Sequence, residues 1–138
     1  MVGLAGLAIE NSMLGAAHAS ANPLTAAYDV THGDAVALML PHVVRRNGAA
    51  VEQAYQDLVL ATAFDKNTPD QRAGSAGLAR FLAEAAEAAG LAVRLREQGV
   101  ERDRLPELAA DALKQWTGSY NPIELQADDY EALYEAAY

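Results

Sequence analysis

The sequence contains no cysteine, and this absence removes several kinds of chemistry at once. Disulfide bridges, thiolate zinc sites, iron–sulfur ligation and cysteine nucleophiles all depend on a sulfur that the chain does not have. A chain without cysteine is compatible with a reducing compartment, and we therefore expect a cytoplasmic protein. Any metal site in it must be built from histidine and oxygen ligands.

Positive charge and aromatic side chains are also scarce. Ten Lys and Arg stand against 19 Asp and Glu, which gives a formal net charge of −9. This balance argues against binding to nucleic acid or to an anionic membrane, since both are polyanions. Aromatic residues make up 7% of the chain and hydrophobic residues 51%, which favours closely packed helices over a sheet. A length of 138 residues suffices for one domain with its own core.

Strand patterns and membrane segments are missing as well. The apolar residues 1–9 carry no basic side chain and run directly into Glu10, so we expect neither a signal peptide nor a membrane span. No segment shows strand-like alternation between turns, and no repeat or low-complexity linker is present. The sequence therefore predicts a single all-α domain over residues 1–138, with the opening segment as a core helix.

Helical periodicity, together with glycine, proline and asparagine, divides the chain into helices. Asn22-Pro23 predicts a stop and restart, Asn47-Gly48 a second stop, and Pro41 a kink. The first predicted helix covers residues 4–18 and places His18 at its C-terminal end. Further helices are predicted over about 31–46, 49–64, 69–89 and 128–138, with a short turn over 91–98 that Gly99 closes. Before the last of them, a helix begins at Pro106 and ends at Gly118, and its apolar stripe consists of Leu105, Leu108, Ala109, Ala112, Leu113 and Trp116.

His18 and His32, fourteen positions apart, are the residues with the clearest chemical potential. One unbroken helix would separate the two rings by roughly 21 Å, whereas two nitrogens on one metal lie roughly 3–4 Å apart. The chain must therefore turn back between them if they share a metal. Thr31 and Asp34 form a capping-box pattern that places His32 in the first turn of a new helix. On spacing alone, two ordinary polar histidines are the more frequent outcome.

The flanking residues bring in a resemblance. Gly15, Asn22-Pro23-Leu24, His32-Gly33 and Leu40-Pro41-His42 stand in register over residues 15–47, and this stretch resembles the second metal-binding motif of the iron-dependent (group III) alcohol dehydrogenases. The resemblance extends, more loosely, over nearly the whole chain. It implies the dehydroquinate-synthase-like C-terminal helical domain of that family. It also implies that His18 and His32 bind a divalent metal, iron or zinc, and that Asn22 lies near the substrate, where some relatives carry another histidine.

The same resemblance implies what these 138 residues lack. In the family, an N-terminal α/β domain binds NAD(P), and one Asp and a further His on an earlier helix complete the metal site. The nearest glycine-rich segment, Gly74-Ser75-Ala76-Gly77, follows no strand, and we predict only a tight start or a close contact of a helix there. We therefore expect no catalytic or cofactor-binding residue here and an incomplete metal site. Small alcohols or aldehydes and NAD(P) are expected partners of the intact enzyme only, so the isolated chain should not turn over.

Other polar residues are assigned to structure. His42 lies ten positions beyond His32, and nothing in the spacing brings it to the same metal. Asp34 is expected to complement the positive end of its helix. Glu84 and Glu87 share one side of a helix, but no histidine has the spacing of a carboxylate-bridged metal site, so we expect a solvated face.

Three hypotheses remain open at this stage. The chain is a domain or fragment of an alcohol dehydrogenase, or a stand-alone metal-binding module that completes its site by association, or a helical interaction domain whose histidines bind nothing. We also expect a homo-oligomer, or association with the missing α/β domain, because the apolar residues 2–14 would otherwise expose an unusually large hydrophobic face.

Overall fold

The structure of the chain is a computed structural model that describes residues 7, 10, 11, 13–61 and 74–138. Within these residues it contains five α-helices and three short 3₁₀ helices and no strand, which confirms the all-α prediction. None of these helices is long and apolar enough to cross a membrane. The helices are α1 (Ala16–Tyr28), α2 (His32–Ala61), α3 (Gly74–Ala88), α4 (Leu105–Leu113) and α5 (Ala127–Ala137), and the 3₁₀ helices are Leu95–Gln98, Arg102–Arg104 and Trp116–Tyr120.

The main core lies where α1 and the first half of α2 meet α4 and α5. Alanine dominates it, which lets the helix axes approach closely. Tyr130 and Tyr134 of α5 fill its centre, and the Tyr134 hydroxyl donates a 2.7 Å hydrogen bond to the carbonyl of Ser20 on α1. The alanines with the smallest exposure in this core are Ala16, Ala19, Ala21, Ala35 and Ala112.

A second, smaller cluster joins α2 to α3. Val44, Leu78 and Ala79 are buried in it. A Cβ atom on Gly48 would lie 2.3 Å from the Ser75 Oγ, so glycine is what permits the close approach of the two helices. Gly74 begins α3 with a φ of +66°, and the Ser75 amide donates to the Glu52 carboxylate over 3.1 Å. These contacts agree with the prediction of a tight start or a close contact of a helix at this glycine-rich segment.

The start of the chain differs from the prediction. Leu7, Glu10 and Asn11 are helical, while most of the opening helix lies outside the described residues. A new helix begins at Ala16, so His18 stands in a first turn and not at a C-terminal end. The helix stop predicted at Asn22-Pro23 is wrong, because α1 continues through both residues. Pro23 is buried inside α1, and its packing offsets the loss of one backbone hydrogen-bond donor.

The predicted boundary at Asn47-Gly48 is displaced. The helical backbone of α2 continues through Pro41 and Gly48 and leaves the helical region at Val51 (φ −129°, ψ 28°), so a break between two helical stretches is present but lies later than predicted. The helix start predicted at residue 69 lies outside the described residues. The end of α3 before Gly90 is confirmed, since α3 ends at Ala88 and Gly90 has a φ of +76°.

Near the C-terminus, one helix is shorter than predicted. Helix α4 ends at Leu113, and Trp116 begins a separate 3₁₀ helix. Leu113 and Trp116 are 45% and 62% exposed and do not belong to the core stripe. The physical reason is that the chain changes direction after α4, so that Thr117 is buried in place of Trp116. Gly118 then passes close to Tyr130, and a Cβ atom on this glycine would clash with the Tyr130 hydroxyl. The short turn closed by Gly99 and the terminal helix are confirmed.

Candidate metal site

The connection between α1 and α2 brings His18 and His32 together. Helix α1 ends at Tyr28, and Asp29 adopts the left-handed conformation (φ 54°, ψ 26°), which aspartate tolerates better than most residues. Val30 is 6% exposed and anchors the turn in the core. Helix α2 then begins at His32, as predicted. The centroids of the two imidazole rings lie 5.3 Å apart, so the prediction that the chain turns back between them is confirmed.

The ring separation can be compared with what a shared metal needs. Metal–nitrogen bonds of about 2 Å, plus about 1.1 Å from ring nitrogen to ring centroid, place two imidazoles on one tetrahedral ion about 5 Å apart. The observed 5.3 Å, with ring planes tilted by 45°, agrees with that value. The donor set also fits, because imidazole nitrogens are good ligands for iron and zinc. We name His18 and His32 the histidine pair.

The two histidines differ in environment. His18 is half-buried and His32 is exposed. Burial lowers the pKa of His18 below its usual value, and the neighbouring His32 lowers it further. The neutral imidazole is the form that offers a lone pair to a metal. In the described part of the chain, no third histidine or carboxylate joins the pair to make a three-ligand group.

Asn22 lies one helical turn after His18 on α1, and residues four apart share a helix face. Its side-chain amide donates a 2.9 Å hydrogen bond to Gln115 Oε1, which links α1 to the segment after α4. Asn22 also lines a surface cleft of about 260 Å³ together with Lys114 and Gln115. The asparagine is therefore close to His18 along α1, and its contact with a substrate stays a prediction.

His42 is not part of this group. Ten residues of helix place it about 15 Å along α2 from His32. It lies half-buried in a cleft of about 190 Å³ that Arg45 and Arg94 also line. Burial, followed by the Arg45 charge, lowers the pKa of His42 to about 4. Glu84 and Glu87 are exposed on α3, as predicted.

Sequence reasoning missed two asparagines near His18. Asn47 and Asn121 line, with His18 and Tyr55, a cleft of about 400 Å³ beside the start of α1. Asn47 precedes a glycine and was interpreted only as the end of a helix, and Asn121 precedes a proline, which is typical of a turn residue. Nothing local distinguishes such an asparagine from one that pairs across the fold.

Comparison with known proteins identifies the family. The model of the Fe-containing alcohol dehydrogenase family, C-terminal, matches residues 2–138. The chain belongs to this family. It is 32% identical over 137 residues to the lactaldehyde reductase of Escherichia coli strain K12, and 33% identical over 137 residues to the 1,3-propanediol dehydrogenase of Citrobacter freundii. Each alignment covers 98% of this chain and 35% of the relative, so the chain spans about a third of the length of these relatives.

Solved structures agree with the sequence comparison. A 1,3-propanediol oxidoreductase superposes with a TM-score of 0.85 at 30% identity, over 98% of this chain and 35% of that one. An alcohol dehydrogenase from Oenococcus oeni gives a TM-score of 0.85 at 28% identity, with the same coverage. The fold of these residues is therefore that of the helical part of the family.

Proposed function

We propose that this chain is the metal-binding C-terminal domain of an iron-dependent, NAD(P)-linked alcohol dehydrogenase. The observation that carries the proposal is the 5.3 Å separation of the His18 and His32 rings, reached across the turn between α1 and α2. In the intact enzyme the substrate is a small alcohol or aldehyde, the chemistry named in the relatives lactaldehyde reductase and 1,3-propanediol dehydrogenase.

In this proposal the histidine pair holds one side of the metal. The remaining ligands, one Asp and one His, and the NAD(P) site belong to a part of the enzyme outside these 138 residues. When bound, the metal polarises the alcohol or carbonyl oxygen as a Lewis acid. His18 contributes an imidazole whose pKa is lowered by burial, which favours the neutral form that binds metal, and we propose that the Asn22 amide, which donates to Gln115, hydrogen-bonds a bound oxygen.

Metal binding is tested first on the chain alone. Co²⁺ titrated into the purified protein should give weak visible absorption with about micromolar to millimolar affinity, because two histidines leave most coordination positions to water. His18→Ala and His32→Ala should abolish the signal. His42→Gln is the matched control, since it removes the third histidine outside the pair, and it should keep the signal. Cobalt absorption that survives both alanine substitutions would contradict the assignment.

Catalysis is tested separately. The isolated chain should not reduce NAD or NADP in the presence of alcohols, because the proposal assigns the cofactor site and two of the metal ligands to a part of the enzyme outside these 138 residues. Clear turnover by the purified chain that disappears in His32→Ala would show that the chain is a complete enzyme and would overturn the fragment interpretation.

A second candidate is a stand-alone module that binds metal or associates without catalysis. Leu7, in the opening segment, is 55% exposed, as an interface residue would be in a monomer. Light scattering across a dilution series measures the oligomeric state, and elemental analysis measures bound metal. One tightly held iron or zinc per dimer, lost in His18→Ala, favours the module. A monomer whose thermal stability is unchanged by iron, zinc or nickel would contradict metal binding by the chain alone, both as an enzyme domain and as a stand-alone module.

A further inference from the structure

Two asparagine side chains join distant parts of the chain beside His18. Asn47 lies on α2 and is 4% exposed, and Asn121 directly follows the 3₁₀ helix Trp116–Tyr120. The Asn47 Nδ2 donates to the Asn121 Oδ1 over 2.9 Å, and the Asn121 Nδ2 donates to the Asn47 Oδ1 over 2.8 Å. We call Asn47 and Asn121 the asparagine pair.

The amide of Asn121 has no unused hydrogen-bonding position. Its Nδ2 also donates to the carbonyl of Ile123 over 2.9 Å, and its Oδ1 also accepts from the backbone N–H of Ala16 over 3.4 Å. A primary amide has two donors and two acceptor lone pairs, so all four are engaged. Flipping the amide would break every one of these bonds, and the side chain is therefore held in one orientation.

The bond to Ala16 acts at the start of α1. Ala16 is the first residue of that helix, and its N–H has no partner within the helix. Gly15, at the N-cap position, has no side chain to supply an acceptor. Asn121 supplies it from 105 positions away. A Cβ atom on Gly15 would lie only 3.3 Å from the Asn121 Oδ1, so glycine leaves room for the amide.

His18 belongs to this same first turn, and its backbone N–H donates to the Gly15 carbonyl over 3.1 Å. Asn47 belongs to α2, the helix that His32 begins. We propose that the asparagine pair is a positioning device that fixes the first turn of α1 against α2 and so holds the His18 ring opposite the His32 ring. The role in metal binding rests on the proposed function, whereas the ring-to-ring geometry does not.

The geometry is tested without metal. In Asn121→Ala, nuclear Overhauser effects between the His18 and His32 ring protons should weaken or vanish, and amide exchange should accelerate at the first turn of α1. Tyr134→Phe is the matched control: it removes a buried hydrogen bond from α5 to Ser20, beyond that turn, with a comparable loss of stability. The control should keep the ring contacts. An Asn121→Ala protein that folds with unchanged ring contacts and unchanged exchange overturns the proposal.

The consequence is tested with cobalt. Loss of a group that orients a ligand typically weakens metal binding by about 10- to 100-fold, and Asn121→Ala should weaken Co²⁺ binding by at least about tenfold. Asn47→Ala leaves the bonds of Asn121 to Ala16 and Ile123, so its effect should be smaller, and it serves if Asn121→Ala does not fold. Unchanged affinity in both variants overturns the positioning role. If the wild-type chain binds no cobalt, the proposed function is contradicted but the positioning role is not, because the nuclear Overhauser effects between the two rings still test that role.

Discussion

Residues 32–48 of α2 are packed on several sides, whereas residues 49–61 of the same helix include no buried residue. The first half contributes Ala35, Leu38 and Met39 to the main core. The second half packs through Tyr55 and Val59 on a small cluster with α3, and Leu58 and Leu60 are 48% and 68% exposed. The helical backbone is interrupted at Val51, near the boundary. The difference shows that a segment of this chain can be helical without being buried in a core. His32 lies in the packed half of α2.

Hydrogen exchange should give the largest contrast between these halves. Amides in well-packed helices open only with the whole domain, while amides in exposed helices open locally. We expect protection factors in residues 36–47 to exceed those in residues 53–60 by at least about 100-fold. Exchange measured by mass spectrometry or NMR checks this. Equal protection in both halves would mean that residues 49–61 are as tightly held as the core.

Truncating leucines should reproduce the contrast in equilibrium stability. Leu24 is 1% exposed in the main core, and Leu24→Ala should lower the free energy of unfolding by about 3 kcal/mol through lost burial and the cavity left behind. Leu60→Ala, at the exposed end of α2, should change it by less than about 0.5 kcal/mol. Chemical denaturation followed by circular dichroism measures both. A large effect at Leu60 would reveal an unrecognised contact there.

The pH dependence of stability should report on His42, in the packed half. Its pKa is lowered from 6.5 to about 4 in the folded state, so the unfolded chain binds the proton first as the pH falls. Stability is therefore fully present above about pH 6.5 and is lost between about pH 6.5 and 4, by about 2 kcal/mol after allowance for solvent screening. Denaturation of the wild type and His42→Gln over this range gives the difference. A slope that is the same in both proteins would assign it to other groups.

Two glycines in α2 should respond in opposite directions. Gly48→Ala forces a methyl group into contact with Ser75 and should lower the free energy of unfolding by about 1–2 kcal/mol. Gly33→Ala meets no atom within 4 Å and should raise it by about 0.5 kcal/mol through the better helix propensity of alanine. Thermal unfolding compares the two. Stabilisation by Gly48→Ala would show that α2 and α3 can separate there without loss.

Much of the fold follows from local chemistry. Gly99 and Gly90 have left-handed backbone conformations at the predicted boundaries, and Thr31 precedes the predicted helix. Other boundaries depend on distant partners. Asn47 and Gly48 were expected to end a helix, yet the Asn47 amide bonds to Asn121, and Gly48 makes room for α3. Such long-range compensation is not visible in the sequence around these residues.

The candidate site was predictable to a similar degree. The approach of His18 to His32 follows from the family resemblance of residues 15–47, because spacing alone favoured two ordinary polar histidines. The means of approach does not, because the turn occurs at Asp29 and not at Pro23. A single residue in the left-handed conformation ends α1, and several residues in this segment were equally reasonable choices for it.

The histidine pair and the asparagine pair also differ in how far apart along the chain their members lie. The histidines are fourteen positions apart, whereas the asparagine pair spans 74 positions and the bond to Ala16 spans 105. Loop-closure entropy makes the longest of these contacts about 2 kcal/mol harder to form than the histidine contact. Contacts of low sequence separation form early in folding. We therefore expect the helix hairpin of α1 and α2, which carries both rings, to form before the segment that contains Asn121 packs against it. Under the proposed function, a metal ion present during refolding meets the two-histidine hairpin before the domain is complete, so the order of metal addition should affect how the domain assembles.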